Sequence, residues 1–362
     1  MVVRYIGILC CFLSLTSTAA AATATRTLTD QLGRQVTMPA AVKRIIPLGG
    51  AARFVVYLQA FELVVGTEAT EKRTAPTAAR PYNLALRSQF ERLPVVGEGR
   101  QKPVNAEAII ALRPDLLITA ETDRAQADRL AQLTGVPVLA LNYGGMGVVD
   151  ATKVKQSLQL LGMALGREQR AAQLIALLNN HQQDFERRVL GIEPQSAYIG
   201  AISQRGPHGI TSTDADYFPL TITRSINLAQ RLGKPGHAYI DKEQLLAWNP
   251  SVILVDSSGL RLVKEDYRRH QLFYDRLSAV QTNQVYLTLP YNNYHTNLEL
   301  ALANSWYVAR LLYPQRFSDI DPVAKTDEIC RSFVGIPCYD ALRREFGGFG
   351  QLHLAPRTAH AR

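Results

Sequence analysis

A chain of 362 residues with 47% hydrophobic and 20% charged residues has the make-up of a globular protein with one large or two medium domains. That excludes a disordered or fibrous chain, and the 24 Gly and 18 Pro follow no period that would mark low complexity. Forty Lys and Arg against 31 Asp and Glu leave a net charge of +9, which admits nucleic acid, an anionic membrane surface or an anionic ligand as partner.

The chain opens with one positive charge in residues 1–4, an apolar run over 5–15, and small residues at 20–24 that offer two A-x-A exits. This is the pattern of a secretory signal, too short for a membrane span of about 20 apolar residues. Cys10 and Cys11 lie too early in it for lipid attachment. No later segment is long and apolar enough to span a bilayer. The expectation is a signal over 1–24, cleaved on export, and a soluble mature chain.

Residues 105–118 (NAEAIIALRPDLLI) and 241–254 (DKEQLLAWNPSVIL) then repeat one pattern without a gap. Asn105 and Asp241 are helix caps, Glu107 and Glu243 favour the first turn, and Pro114 and Pro250 stop each helix ahead of a short apolar strand. A second apolar strand follows in each half, over 136–141 and 285–289. Alternating helices and strands predict two α/β lobes with parallel sheets, over 25–149 and 191–345. Between them, Val154, Leu158, Leu161 and Leu165 form a helical stripe, and after Gly166 a second stripe runs from Glu168 to Val189. At 1.5 Å per residue that second helix is about 33 Å long, a rigid strut within a linking segment at 150–190. Near the C-terminus, Cys330 and Cys338 are placed for a local disulfide in an oxidising compartment. Residues 346–362 read as a basic, disordered tail.

Ligands of open α/β sheets bind beyond the carboxyl ends of the strands. In the first lobe those ends are Gly49–Ala51 with Arg53, residues 119–122, and 143–145. In the second they are 203–208, Ser257–Ser258, and 291–297.

Taken in order, several segments make the sequence recognisable. These are TDQLGR at 29–34, RIIPLG at 44–49, the two helix–Pro–strand repeats, Leu232–Gly233, and PYNNYHTN at 290–297 running on to Leu312–Pro314. The chain resembles the periplasmic substrate-binding proteins of ABC importers, in the class that carries iron–siderophore complexes and cobalamin. The resemblance implies two Rossmann-like lobes joined by a single long helix, a ligand crevice between them, a monomer, and delivery of cargo to a permease dimer. It implies an iron complex, a ferric siderophore, as cargo, with cobalamin, haem or a nickel or other metal chelate as alternatives. No intrinsic cofactor is expected.

Such ligands are often anionic with aromatic or amphipathic surface, and suit Arg and Tyr. The ligand-binding candidates are Arg53, Tyr143, Arg205, Tyr291, Tyr294 and His295. The Asn292–Asn293 pair reads as a turn. A bare-metal site would need several His or carboxylates to converge, and only His208, His237 and His295, spread through the second lobe, offer that; such a carrier is disfavoured. By the resemblance, acidic side chains on each lobe dock on arginines of the permease, and Asp123 with Asp214 or Asp216 are the candidates.

An enzyme is the rival class. No G-x-S-x-G elbow and no Walker loop is present, and residues 144–147 are glycine-rich without nucleotide-binding spacing. An exported chelatase-like metal-insertion enzyme is the alternative that the two-lobe architecture leaves. No nucleic-acid reading module is evident.

Overall fold

A computed structural model describes residues 24–73, 79–99, 102–120, 122–145 and 148–354. The expected signal, apart from Ala24, and residues 355–362 of the tail lie outside them. Two α/β units are present. In the first, the buried strands Ile45–Leu48, Leu116–Thr119 and Val138–Ala140 lie parallel in that order, with Ile46 opposite Leu117 and Leu117 opposite Val138. Their side chains are buried throughout, as a sheet covered on both faces requires. In the second, four parallel strands run in the order Ile226–Asn227, Ser196–Gly200, Ile253–Asp256, Val285–Thr288.

The sequence repeat is a structural repeat. Asn105 accepts from the Ala108 amide at 3.0 Å to start the helix Ala106–Ala111, and Asp241 accepts from Gln244 at 2.6 Å to start Lys242–Trp248. Each cap satisfies an amide that the first turn cannot.

The linking segment is a helical hairpin. Glu168–Val189 is the 22-residue helix the stripe predicts, and Ala151–Leu165 folds back on it through a left-handed Gly166. Against this pair pack Leu298–Leu312, buried along almost its whole length, and Pro322–Val334. One apolar core therefore runs unbroken from Phe54 through Leu161 and Trp306 to Phe333. No helix among the described residues is long and apolar enough to cross a membrane.

Cys330 and Cys338 are bonded, with Cα atoms 6.0 Å apart, tying the end of Pro322–Val334 to the start of Tyr339–Phe346. The expected free tail needs correcting. Gly350–Gln351 adds an antiparallel strand beside Tyr286 and Leu287, and Leu352 and Leu354 are buried in the second lobe's core. Burial of those two leucines, alternating as a strand demands, holds the segment in place.

Candidate functional site

The 291–297 loop leaves the carboxyl end of Val285–Thr288 and reaches the first lobe before entering the helix Leu298–Leu312. Asn297 shapes it: its amide donates to the Tyr291 carbonyl at 2.8 Å, and its side chain donates to the carbonyls of Tyr291, Asn293 and His295. Asn292 accepts from the Thr296 hydroxyl across a β-bridge, the turn role expected of that residue. Tyr294 and His295 then take positive φ, at 47° and 70°, an uncommon conformation that the surrounding bonds must hold in place.

Those bonds come from the first lobe. Arg53, only 1% exposed, donates to the carbonyls of Gly50, Tyr294 and Thr296. The Tyr294 hydroxyl donates to Glu68, which also accepts from the Gly49 amide. Burial, with Glu68 and Glu71 nearby, raises the Tyr294 phenol far above its ordinary value, so it stays a donor. His295 lies so close to Gly50 that a Cβ there would sit 2.6 Å from its ring. Its ring also meets that of Tyr143 at 6.1 Å. A hydrogen bond from Tyr57 to Glu299 adds a second buried link. Four sequence candidates, Arg53, Tyr143, Tyr294 and His295, thus come together as a buried knot that fastens the loop across the lobes. Tyr291 does not join them. It is fully buried against Tyr217, with ring centroids 5.6 Å apart, and so is a core residue rather than a rim aromatic.

The second lobe's other strand ends are open. Ser203 and Ser258, beyond adjacent strands, share a hydrogen bond of 2.7 Å. Arg205 is exposed on the same loop at a positive φ of 57°. Next to it two of the three histidines spread through the second lobe meet. His208 and His237 have ring centroids 6.3 Å apart and both pack edge-on against Tyr239. The antiparallel pairing of Ser212–Asp214 with His237–Tyr239 brings them together across 29 positions, a contact with no local sequence signal. Ser212 holds His237 at 2.8 Å, and burial together with His208 lowers the His237 pKa. His295 instead belongs to the knot. Among the described residues no group of three or more His, Cys, Asp or Glu is placed to hold a metal ion.

A cavity of about 300 Å³ lies where the linking hairpin meets the second lobe. Val149, Val154, Leu178, Phe218, Ile222 and Leu298 give it apolar walls, and Lys155, Arg224 and Glu186 also line it. Lys155 and Glu186 both bond Gln182, while the exposed Arg224 forms no side-chain bond among the described residues.

A family model described as "Periplasmic binding protein" matches residues 55–291. The chain belongs to that family. The molybdate-binding protein MolA of Haemophilus influenzae is 26% identical over 332 residues, covering 85% of this chain and 90% of MolA. The solved structure of MolA bound to molybdate superposes with a TM-score of 0.67 at 20% identity, over 86% of this chain and 98% of that one. Helicobacter pylori CeuE with Ni(II) bound gives 0.64 at 18% identity, over 86% and 96%. A Saccharomonospora viridis protein of an Fe³⁺-hydroxamate transport system gives 0.52 at 20%, over 80% and 99%. This periplasmic binding protein is thus the extracytoplasmic binding component of an ABC importer, among relatives that are transport proteins.

For the family's permease contact, the three candidate acids differ. Asp214 is 1% exposed and accepts from the Asp216 amide, and burial pushes its pKa up to about 7. A buried, easily protonated carboxyl is not presented to a partner, so Asp214 is corrected to a core residue. Asp216 is half-buried and accepts from Gly236 at 2.8 Å. Asp123 is exposed and caps the helix Arg124–Thr134 through Gln126.

Proposed function

We propose that the cargo is an anionic, metal-containing species and, within that class, a ferric chelate of the siderophore type. On this reading the chain is exported to the periplasm by a cleaved leader, captures the chelate as a monomer and hands it unchanged to a permease dimer. Asp123 and Asp216 are its docking acids.

The observation that carries the reading is the apolar cavity where the linking hairpin meets the second lobe, whose lining includes the cations Lys155 and Arg224. Apolar walls with a few placed charges are what an amphipathic anion needs. Arg205, exposed at a strand end, supplies a further guanidinium suited to carboxylate or catecholate oxygens. Haem and an anionic nickel chelate fall within the same class; cobalamin, neutral overall, is a metal-containing alternative outside it.

A second reading, molybdate, is favoured by the alignment with MolA along 85% of this chain. The buried state of Tyr143, Tyr291 and Tyr294 agrees with it, since a small oxyanion needs no aromatic wall.

Calorimetric titration of the mature chain with ferric hydroxamate and catecholate chelates, haem, cobalamin, molybdate and nickel chloride separates these. The proposal expects tight binding of one ferric chelate, recovered intact from the complex by mass spectrometry. Tight binding of molybdate alone replaces the first reading with the second. Chemical conversion of the cargo would make the protein an enzyme.

A further inference from the structure

Part of the chain's net charge of +9 is concentrated on one surface of the second lobe. The helix Leu260–Arg269 carries Lys264, Arg268 and Arg269, and Arg276 follows two residues after the short helix Gln271–Tyr274; all four are exposed. None of the four makes a side-chain hydrogen bond or an ion pair among the described residues. The neighbouring acids are largely spoken for. Glu265 pairs with Arg261 at 2.6 Å, and Asp266 holds Lys242 and His270, each at 2.7 Å, leaving exposed Asp275 as the remaining counter-charge on this stretch. Amid these arginines stands Leu272, 84% exposed, the most exposed of the large apolar side chains among the described residues. Val263, Tyr274 and Leu277 are buried and fix the segment to the sheet, so the basic face is held outward by packing.

Topology sets where this face lies. The strands Ile253–Asp256 and Val285–Thr288 are parallel, so the chain between them must return from the carboxyl ends to the amino ends. Ten helical residues cover about 15 Å of that return, which puts Arg268–Arg276 toward the end of the lobe opposite Ser203, Arg205 and Ser258.

We infer that this face binds anionic phospholipid headgroups on a bilayer surface, with Leu272 entering the headgroup layer. Free arginines around a single protruding leucine are the makings of a peripheral membrane contact, electrostatic in the main and apolar at one point. Placed at the opposite end from the crevice, the contact leaves the strand ends free for cargo and permease. It would hold the carrier near the membrane that houses the permease.

The test is co-sedimentation of the mature chain with vesicles of phosphatidylcholine alone and of phosphatidylcholine mixed with phosphatidylglycerol, at low and high salt. The expected result is binding to the mixed vesicles only, lost at high salt. Each cation near an anionic surface is worth roughly a fivefold change in binding. Arg268→Gln with Arg269→Gln should therefore weaken it about 25-fold, and Leu272→Ser by a smaller factor, with the thermal melt unchanged. Arg276→Gln alone, within a short turn, gives a second and milder variant expected to weaken it about fivefold. Equal binding to both vesicle types, no binding to either, or binding that survives these variants overturns the inference. Capture of an acidic protein without any vesicle binding would do so as well.

Discussion

The first lobe turns its leading strand end inward, while the second leaves its corresponding end open to solvent. Gly49–Gly50 and Arg53 are sealed beneath the 291–297 loop by buried hydrogen bonds to Glu68, Tyr294 and Thr296. Ser203, Arg205 and His208 stand exposed or half-exposed at the second lobe's ends. The two guanidiniums show the difference. Arg53 spends its donors on backbone carbonyls and so sets the position of one lobe against the other. Arg205 is exposed and makes no side-chain hydrogen bond among the described residues. The same residue type at matching places in two similar lobes is thus buried and bonded in one and exposed without a side-chain bond in the other, the contrast on which the proposed recognition role of Arg205 rests.

The largest effect that would break this contrast is on stability. Arg53→Ala strips buried partners from three carbonyls, and about 3–5 kcal/mol of unfolding free energy should be lost, read by denaturant titration. A loss under about 1 kcal/mol would mean that the knot is not what fastens the lobes.

Next comes pH. Burial pushes Asp256 up to about 7 from an ordinary 3.8, against hydrogen bonds from Ser258 that oppose the rise. The folded state then holds this proton more tightly than the unfolded one. Its contribution is complete below about pH 4 and is lost as pH rises to about 7, a decline on the order of 2–4 kcal/mol. Asp256→Asn should flatten that part of the stability profile, and an unaltered slope would refute the assignment. Asp214, raised for the same reason, leaves a residual slope.

Arg205→Ala should leave the melt unchanged and weaken an anionic cargo by about 1.5–3 kcal/mol, at least tenfold. An unchanged dissociation constant would move recognition to Lys155 and Arg224. At Asp123 only uptake is expected to change. Because it caps a helix, Asp123→Asn keeps the cap while removing the charge. Uptake should fall with cargo affinity and melting temperature both intact, and weakened cargo binding would end its docking role.

Much of the scaffold was legible because local chemistry specifies it. Asn105, Asp241, Pro114 and Pro250 punctuate both repeats, and the Leu174–Val189 stripe marks the long helix, since caps, breakers and periodicity act over a few residues. The site was less so. The aromatic cluster at 291–297 reads as a ligand wall in one dimension, but its side chains are buried by contacts with distant residues, Tyr217 for Tyr291, Glu68 for Tyr294 and Gly50 and Tyr143 for His295, and sequence spacing carries no trace of those. The His208–His237 pair depends on a non-local strand pairing, again invisible locally. The ordered end of the chain did have a signal, Leu352 and Leu354 in alternation, masked by the glycines at 347, 348 and 350.

That terminal strand has a practical consequence. By pairing with Tyr286 and Leu287, Gly350–Gln351 covers one border of the second lobe's sheet, which would otherwise offer unpaired amides and carbonyls to a neighbouring molecule. Expression versions cut back to residue 345 would lose that cover together with Leu352 and Leu354, and should precipitate or self-associate. A purification handle placed after Leu354 spares both.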